Sequence, residues 1–536
     1  MSDDRTRSYW GWGYVEDHPD EARIAALRER LETDFGFPEL DLVEVPTLEN
    51  VDVPAPGIEA PARLEFCTQD KRSRVHHTYG DGYRDKVRAI RGNFGAAPDV
   101  VARPETEADV TDLLEWASDE GVAVIPYGGG TSVVGGIEGD VGGGFAGVVS
   151  LDTREMDAIR EVDAESRRAR IQAGALGPQI QDGLAEHGFQ LRHYPQSYEF
   201  STLGGWIATH AGGHFATRYT HIDDFVESAR MVTPSGTVET RQVPRTAAGP
   251  KSNHFILGSE GTLGVITEAW MNVQPRPEGR SRATVHFSEF DAAVDATREV
   301  AQTRMAPANC RLLDSNESRL FGVAEGDDHL LFLGFESLSA SGSTRENLAE
   351  ALSICEAHGG ECPRGPVHGD RDTDQTTPED RWRTAFIEAP YVWDAFVRLG
   401  VIFDTFETAI TWDRFDALYE DVYESVTEAM EEVCGTGHVS CRFSHVYPDG
   451  PAPYFTFMAP AERGRELEQW RHVKRAASEV IDDHGATITH HHAVGRLHQE
   501  YYERESADFQ ATLGAMKDAL DPAGIMNPGV LVDRTE

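Results

Sequence analysis

A loop of three glycines and two hydroxyl residues directly follows a short apolar run, and it constrains the fold more than any other feature of the chain. The apolar run is Val122–Ile125 and the loop is Gly128–Ser132. Glycines let the backbone turn several N–H groups toward one point, and the Thr131 and Ser132 hydroxyls add donors. The segment predicts a buried strand that leads into an anion-binding loop, most simply for a pyrophosphate. The same residues would also fit a tight glycine turn that binds no ligand, which is the alternative.

This loop matches neither common nucleotide-binding motif. Val133 occupies the position of the third glycine of a G-x-G-x-x-G motif, and the chain contains no G-x-x-x-x-G-K-[ST] phosphate loop. Two later segments, Tyr194–Trp206 and Gly258–Thr267, also join hydroxyl residues and glycines to apolar strand-like runs. Each of the three alone fits an ordinary turn. Together they predict one extended ligand that lies across several loops.

The charge of the chain excludes some partners. Its 536 residues include 91 acidic and 49 basic ones, which gives a formal net charge of -42. DNA or RNA would be repelled by such a surface, so we expect a small-molecule substrate and no nucleic-acid partner. Only five of the basic residues are lysines. An acidic surface with so little lysine is typical of a halophile's protein, and an acidic protein from ordinary salt is the alternative.

Cysteine spacing and hydropathy predict a reduced, cytoplasmic protein. The six cysteines include no C-x-x-C pair and are too widely spaced for a disulfide framework. No signal-peptide pattern is present, and no apolar run reaches the roughly 18 residues of a membrane span. The C-terminus carries no peroxisomal tripeptide. The sequence leaves open whether the chain forms a homodimer.

Hydrophobic periodicity predicts an α+β fold with more than one domain, because a chain of this length exceeds what a single core usually holds. The expected segments are a polar N-terminal arm at 1–92, a mixed domain at 93–278, a second α+β domain at 279–495 and a C-terminal segment at 496–536. The predicted strands are Val100–Ala102, Val122–Ile125, Val148–Leu151, Ala169–Ala173 and Leu330–Phe335. The predicted helices are Ala22–Thr33, Glu107–Asp119, Pro178–His187, Phe290–Thr303, Asn347–Glu356, Trp412–Val433 and Tyr501–Leu520.

Motifs along almost the whole chain occur in an order that is found in one family. They are Gly11–Tyr14, Pro126–Ser132, Ser197–Trp206, Gly258–Thr267, Cys310–Asp314, Thr405–Thr408, Cys441–Arg442, Tyr454–Phe455 and His490–Gly495. The set resembles the vanillyl-alcohol oxidase superfamily, and within it the alkylglycerone-phosphate synthases. The resemblance implies a two-subdomain FAD-binding domain at 93–278, a cap domain at 279–495 that covers the flavin, and a C-terminal segment that returns to the FAD domain.

The resemblance also implies which residues hold FAD. They are Pro126, Tyr127, Gly128, Gly129, Gly130, Thr131 and Ser132; Gln196, Ser197, Tyr198, Glu199, Phe200, Ser201 and Thr202; Thr209, His210, Ala211 and Gly212; and Glu260, Gly261, Thr262, Leu263, Gly264, Val265 and Ile266. Some members of the superfamily attach the flavin covalently through a histidine of the first loop. Thr131 stands in that region, so we expect non-covalent FAD.

By the same resemblance, Tyr454 is the acid/base tyrosine of the family. A phenol has a pKa of about 10, so it needs a partner to exchange protons near neutral pH, and the histidines His490–His492 are the obvious relay. An ordinary strand tyrosine is the alternative for Tyr454. The segment Ala486–His490 alternates enough to predict a strand, which would place His490 and His492 on one face and His491 on the other.

The histidines have a second interpretation, as a solvated or metal-scavenging tract. A structural zinc site is disfavoured because no cysteines lie at suitable spacing, so no metal is expected. Arg311 matches a family arginine near the active site and is expected to orient an oxyanion or a phosphate. A structural salt bridge is the alternative for this residue.

One position departs from the family. The arginine that binds substrate in the synthases corresponds to Trp393 here, and an indole cannot replace a guanidinium as a phosphate clamp. Either Arg398 or Arg442 takes over, or the substrate is not a phosphate ester. The resemblance nevertheless implies an enzyme that exchanges acyl for alkyl on dihydroxyacetone phosphate through a flavin adduct. The alternatives are a flavin-dependent dehydrogenase of a 2-hydroxy acid such as D-lactate or glycolate, with its electron acceptor open, and a non-catalytic flavin-binding protein.

Overall fold

The computed structural model of the protein describes residues 5–323, 326–339, 342–369 and 378–532. The α-helices are α1 (Glu21–Asp34), α2 (Lys71–His76), α3 (Tyr83–Ile90), α4 (Glu107–Glu120), α5 (Gly177–Ala185), α6 (Leu203–Ala208), α7 (Phe290–Gln302), α8 (Ser315–Leu320), α9 (Thr344–Ala357), α10 (Pro378–Arg398), α11 (Trp412–Cys434), α12 (Glu466–Asp483), α13 (Gln499–Glu505) and α14 (Ala507–Leu520). The β-strands are β1 (Cys67–Thr68), β2 (Val100–Ala102), β3 (Ala123–Tyr127), β4 (Val148–Asp152), β5 (Ile159–Asp163), β6 (Arg168–Gln172), β7 (Phe189–Gln190), β8 (Val226–Thr233), β9 (Gly236–Glu239), β10 (Val265–Asn272), β11 (Gln274–Pro275), β12 (Gly279–Phe287), β13 (Asn309–Leu313), β14 (His329–Ser337), β15 (Val367–His368), β16 (Val401–Glu407), β17 (His438–Val446) and β18 (Pro451–Pro460).

The first apolar strands form a small sheet that leads into the glycine loop. Strands β2, β4 and β3 pair in parallel, and β1 adds to β2 in the antiparallel direction. Helix α4 covers this sheet because its apolar side chains recur on one face. A capping box between Thr106 and Asp109 begins the helix, and Gly121, at φ 65°, ends it. The glycine loop therefore starts at the carboxyl end of β3.

A second, antiparallel sheet has the strand order β5-β6-β10-β8-β9. Its strand β10 continues the Gly258–Thr267 motif. The end of the chain returns to the first sheet, where the Val124 N–H donates to the Ile525 carbonyl at 2.8 Å and the Asn527 N–H donates to the Val124 carbonyl at 2.9 Å. The two sheets and the chain end thus form one half of the molecule.

The other half is built on a seven-stranded antiparallel sheet with the order β15-β12-β14-β13-β17-β18-β16. Strands β17 and β18 are buried along almost their whole length, which requires cover on both faces. Cys441, Phe443 and Phe455 lie in one apolar core with residues of α11 and α12. Because side chains alternate along a strand, Arg442 and Tyr454 face the opposite side of the sheet.

The α+β fold class is confirmed, and the predicted strands and helices lie close to the observed ones. Two details were wrong. The predicted helix Tyr501–Leu520 is two helices, α13 and α14, separated by Ser506. The predicted strand Ala486–His490 is irregular backbone, for a reason that the site explains below. None of the described helices is long and apolar enough to cross a membrane.

Lysine is retained mainly where its ammonium group is held by the protein. Lys86, Lys474 and Lys517 are buried, and each lies within 4 Å of a carboxylate. Lys71 is exposed but donates to two backbone carbonyl oxygens, and Lys251 is also exposed. The exposed cations are therefore almost all arginines, so lysine is scarce on the surface rather than in the core.

We predict that the protein becomes more heat-stable as salt rises. The repulsion among exposed carboxylates is screened when the Debye length falls to about 3 Å at 1 M salt. The midpoint of thermal unfolding should therefore rise by several degrees between about 0.1 and about 3 M KCl. A midpoint that is flat or falls over this range would contradict the surface-repulsion account.

Candidate active site

A cavity of about 250 Å³ lies between the loops of the first half and one face of the seven-stranded sheet. The first half contributes residues of the glycine loop and of the segment between β7 and α6. The seven-stranded sheet contributes side chains of β13, β16, β17 and β18, and α10 closes one wall. The cavity therefore lies where the predicted cofactor loops meet the predicted catalytic residues.

Many of the predicted cofactor residues line this cavity. They are Gly128, Gly129, Gly130, Thr131, Ser132, Gln196, Ser197, Ser201, Thr202, Thr209, Ala211 and Gly212. The other predicted ones are not among the lining residues: Pro126, Tyr127, Tyr198, Glu199, Phe200, His210 and the segment Glu260–Ile266. Gly129 is essential to the packing, because a Cβ there would lie 1.7 Å from the Phe200 carbonyl oxygen.

The lining of the cavity suits an anionic, extended ligand such as FAD. Its polar groups are chiefly glycine backbone, hydroxyls and amides, which are the donors that a pyrophosphate needs. Only two acids line it among the described residues, Asp81 and Asp404. Asp81 lies 3.9 Å from Lys86, and Asp404 lies 3.8 Å from Lys474. The donor set therefore fits FAD, and the acids that crowd the rest of the chain are absent or paired.

The Gly258–Thr267 segment supports the site from behind. A Cβ on Gly261 would lie 2.8 Å from Pro126, so the segment packs directly on the start of the first loop. The half-buried Glu260 carboxylate accepts hydrogen bonds from the Val494 and Gly495 N–H groups, both at 2.8 Å. Burial raises the pKa of Glu260 to about 7. This segment thus connects the first loop to the residues that follow the histidines.

Strand register places the reactive side chains in one row. Arg442 on β17 and Glu407 on β16 both lie directly opposite Tyr454 on β18. The Tyr454 hydroxyl donates to Thr405 Oγ1 at 3.0 Å. The Arg442 guanidinium lies 3.8 Å from the centre of the Tyr454 ring, and the buried Glu317 carboxylate pairs with it. The tyrosine is therefore fixed from both sides.

Tyr454 is protonated at neutral pH. Burial raises its pKa, and the Arg442 guanidinium and the Thr405 hydrogen bond offset part of that rise. The rings of His491 and His492 lie 5.8 and 5.3 Å from the tyrosine ring, measured between centroids. Burial lowers the pKa of His491 to about 3 and that of His492 to about 4. The arrangement combines a protonated phenol with neutral imidazoles, which can accept a proton at one nitrogen while they give one up at the other.

Glu407 holds the histidine tract in place and explains why it is not a strand. Its carboxylate accepts hydrogen bonds from the backbone N–H groups of His490, His491 and His492 and from the Thr489 hydroxyl. Three successive N–H groups that converge on one carboxylate cannot alternate as they do in a strand. Consequently His491 and His492 both line the cavity and His490 does not, whereas the predicted strand would have placed His490 and His492 on one face.

Arg311 is a buried cation that lines the cavity. Its guanidinium contacts His214 Nδ1 at 3.3 Å, and it donates to the carbonyl oxygens of His214 and Ser444 at 3.4 and 3.5 Å. Among the described residues it forms no ion pair, and its Nε has no hydrogen-bond partner. Burial, followed by repulsion from Arg442, lowers the pKa of Arg311 to about 9, so it stays charged at neutral pH. A buried, unpaired guanidinium in a cavity favours an anionic ligand.

Two of the three predicted substrate residues lie at the cavity, and the third does not. Trp393 and Arg442 line the cavity, whereas Arg398 does not. The Arg398 Nε donates to the Val43 carbonyl oxygen at 3.2 Å, so this side chain serves the N-terminal arm. Trp393 stacks on Phe403 with 5.1 Å between ring centroids, and it forms an apolar wall with other lining residues of α10.

Sequence reasoning assigned no role to several residues of the site. Glu407 and Glu317 hold the histidine tract and Arg442, and His214, His445 and Tyr447 surround the reactive side chains. Glu407 carried a signal, since it lies in one of the motifs of the resemblance. The others lie in elements whose register only the fold defines.

Comparisons with known proteins agree with the geometry. Residues 98–241 match a family described as FAD binding domain, and residues 276–531 match FAD linked oxidases, C-terminal domain. Alkyldihydroxyacetonephosphate synthase of Trypanosoma brucei brucei is 31% identical over 490 residues, 86% of this chain and 78% of that protein. The synthase of Dictyostelium discoideum is 31% identical over 487 residues, with the same two coverages. A solved alkyldihydroxyacetonephosphate synthase superposes with a TM-score of 0.80 at 26% identity, over 97% of this chain and 98% of that one.

We predict that Glu407→Gln loosens the histidine tract. The amide replaces one acceptor oxygen with an NH₂ group that faces backbone donors, so buried N–H groups lose their partners at a cost of about 1–3 kcal/mol each. Hydrogen exchange of the His490–His492 amides should speed up, and the thermal midpoint should fall. Glu468→Gln, on an exposed residue of α12, is the matched control. Exchange rates equal to those of the unaltered protein would contradict the role given to Glu407.

Proposed function

This chain belongs to the family of FAD-dependent alkyldihydroxyacetonephosphate synthases, and from that premise we propose that it exchanges the acyl group of an acyl-dihydroxyacetone phosphate for an alkoxide. The ester C–O bond to the dihydroxyacetone carbon breaks and releases a carboxylate. A bond from that carbon to the oxygen of a long-chain alcohol forms, and the alcohol proton is released. The exchange involves no net oxidation.

The cofactor loops support non-covalent binding of FAD. Gly128–Ser132 and the hydroxyl and amide groups of Gln196, Ser197 and Thr209 would hold it, and the first loop offers Thr131 rather than a histidine. FAD, when bound, supplies the isoalloxazine ring at which the exchange takes place. The residues of the chain bind the substrate, orient it and move protons.

One observation carries the proposal: Arg311, a buried cation with no ion pair among the described residues, lines a cavity that also holds Tyr454 and the two histidines. Arg311, with Arg442 beside it, is placed to hold the phosphate that the family arginine holds elsewhere. Tyr454 is the proton donor or acceptor toward the substrate oxygen, and His491 and His492 are neutral bases. The other apolar lining residues of α10, Pro390 and Val397, suit an acyl or alkyl chain.

Trp393 favours one second candidate, the oxidation of a 2-hydroxy acid. A wall without a cation lowers the demand for a phosphate on the substrate, and the Arg311 and Arg442 pair also fits a carboxylate. A neutral histidine would then remove the hydroxyl proton while hydride passes to the flavin. The electron acceptor of such a dehydrogenase is left open by the site.

A product assay separates the two candidates. The purified, FAD-loaded enzyme is incubated anaerobically with palmitoyl-dihydroxyacetone phosphate and hexadecanol, while flavin absorbance is recorded. We expect an alkyl ether product and free palmitate in equal amounts, with no lasting loss of the oxidised flavin bands. Absence of the ether together with bleaching by D-lactate or glycolate would replace the synthase with the dehydrogenase.

We predict that Trp393→Arg lowers KM for the phosphate ester. The new guanidinium restores a charge-assisted hydrogen bond worth about 1.5–3 kcal/mol, or roughly 10-fold to 150-fold in binding. Trp393→Lys tests charge without the planar fork. If KM for the phosphate ester stays the same in both variants, Trp393 does not face the phosphate.

A further inference from the structure

A short chain of hydrogen bonds leads away from the cavity through the histidine tract. The Tyr447 hydroxyl lies 2.8 Å from His490 Nε2, and His490 Nδ1 lies 3.0 Å from His491 Nδ1. His491 lines the cavity, whereas His490 and Tyr447 do not. Tyr447 is half-buried and is followed by the exposed residues Pro448 and Asp449. These hydrogen bonds therefore lead from the cavity to a residue that borders solvent.

The contact between the two Nδ1 atoms requires that the two rings share one proton. Two imidazole lone pairs repel at 3.0 Å, so one proton lies between them and one ring is the donor. Since its Nδ1 faces His490, His491 has only Nε2 to serve the cavity. Since its Nδ1 faces His491, His490 has Nε2 for Tyr447. Each ring thus has one nitrogen for each of its two neighbours, so it can accept a proton from one side and pass another proton to the other side.

We propose that His491, His490 and Tyr447 form a proton relay between the cavity and solvent. In one arrangement His491 Nδ1–H donates to His490 Nδ1, His490 Nε2–H donates to the Tyr447 oxygen, and the Tyr447 hydroxyl donates to water. A proton that arrives at His491 Nε2 shifts each of these protons one step outward. One proton enters, one leaves to water, and no ring holds a net charge at the end.

The surroundings support neutral rings throughout this chain. Burial lowers the pKa values of His490 and His491, and the neighbouring histidines lower them further. The titratable groups that face the two histidines of the relay are His221, His445, His492, Tyr454, Glu407 and Arg442. Those near Tyr447 are Asp223, Asp224 and Asp449. Of all these groups, Glu407 is 3.6 Å from His491 Nδ1 but is occupied by backbone donors. A neutral wire that changes tautomer avoids a buried imidazolium.

The relay rests on the proposed function only for the source of the proton, which is the alcohol that becomes the alkoxide. Its role is positioning and transfer at a distance, because Tyr447 does not reach the cavity. The structural alternative is a tyrosine that only packs against His490. A second alternative is a metal ion, because nitrogen atoms of His445, His490 and His491 lie within 4.8 Å of one another.

The kinetic test uses Tyr447→Phe in the FAD-loaded enzyme. We expect kcat for the exchange to fall about 100-fold while KM and FAD content stay unchanged, with a changed solvent isotope effect on kcat. Tyr501→Phe is the matched control, since its hydroxyl likewise bonds to one side chain, the Glu479 carboxylate at 3.1 Å, and it lies outside the cavity. A variant with unchanged kcat and isotope effect overturns the relay. If the unaltered enzyme makes no ether, the proposed function fails, and the same two readouts are taken on flavin bleaching by a 2-hydroxy acid.

A second measurement does not depend on turnover. In protein labelled with ¹⁵N at histidine, the shared proton should produce a through-hydrogen-bond coupling between the Nδ1 atoms of His490 and His491. Tyr447→Phe should preserve that coupling but shift the His490 Nε2 resonance. Absence of the coupling, or one equivalent of zinc in the purified protein that removes it, overturns the relay.

Discussion

The register of three neighbouring strands is the constraint on which the site depends. Side chains alternate along a strand, so the pairing of β16, β18 and β17 places Glu407, Tyr454 and Arg442 side by side on one face. A shift of one residue would turn all three into the apolar core under α11. From this row, Glu407 fixes the histidine tract and Arg442 fixes the tyrosine ring. Most of the reactive geometry therefore follows from the sheet and not from the loops.

Charge is distributed to match this arrangement. A chain with a net charge of -42 exposes its acids and lines its central cavity with only two of them among the described residues, each near a lysine. The cavity instead holds two buried guanidiniums, and in the part of the chain that the structure describes Arg442 has a carboxylate partner whereas Arg311 has none. The result is a local positive site in a strongly negative molecule. An anionic substrate is drawn to that site by short-range contacts, because the field of the surface opposes its approach.

The sequence predicted local elements well and side-chain juxtapositions poorly. Periodicity located α4 and α11 within a few residues, because their apolar faces pack in the usual way. The motifs identified the glycine loop and the family. Alternation failed at Ala486–His490, because Glu407, far away in sequence, takes the N–H groups that a strand would use. Arg398 was named because it follows Trp393 by five residues, but which side of α10 faces the cavity depends on packing against another segment.

Other residues gave no local signal at all. Glu317 lies on α8 and Tyr447 in the turn after β17, and their contacts with Arg442 and His490 arise only when α8, β17 and the histidine tract come together. Arg311 was predicted from resemblance alone, and its burial without an ion pair to any described residue is a property of the fold. The sequence was thus enough to identify most of the reactive residues, whereas the residues that hold them in place could be identified only from the tertiary structure.

The central claim is that Arg311 and Arg442 make the cavity an anion site for a phosphate ester. Titration of the FAD-loaded protein with dihydroxyacetone phosphate, followed by the flavin absorbance spectrum, tests it most directly. We predict a saturable spectral change with the unaltered protein that is lost in Arg311→Met and retained in Arg298→Met, an exposed arginine. A spectral change that survives Arg311→Met, or one produced by D-lactate and not by the phosphate ester, would contradict the claim.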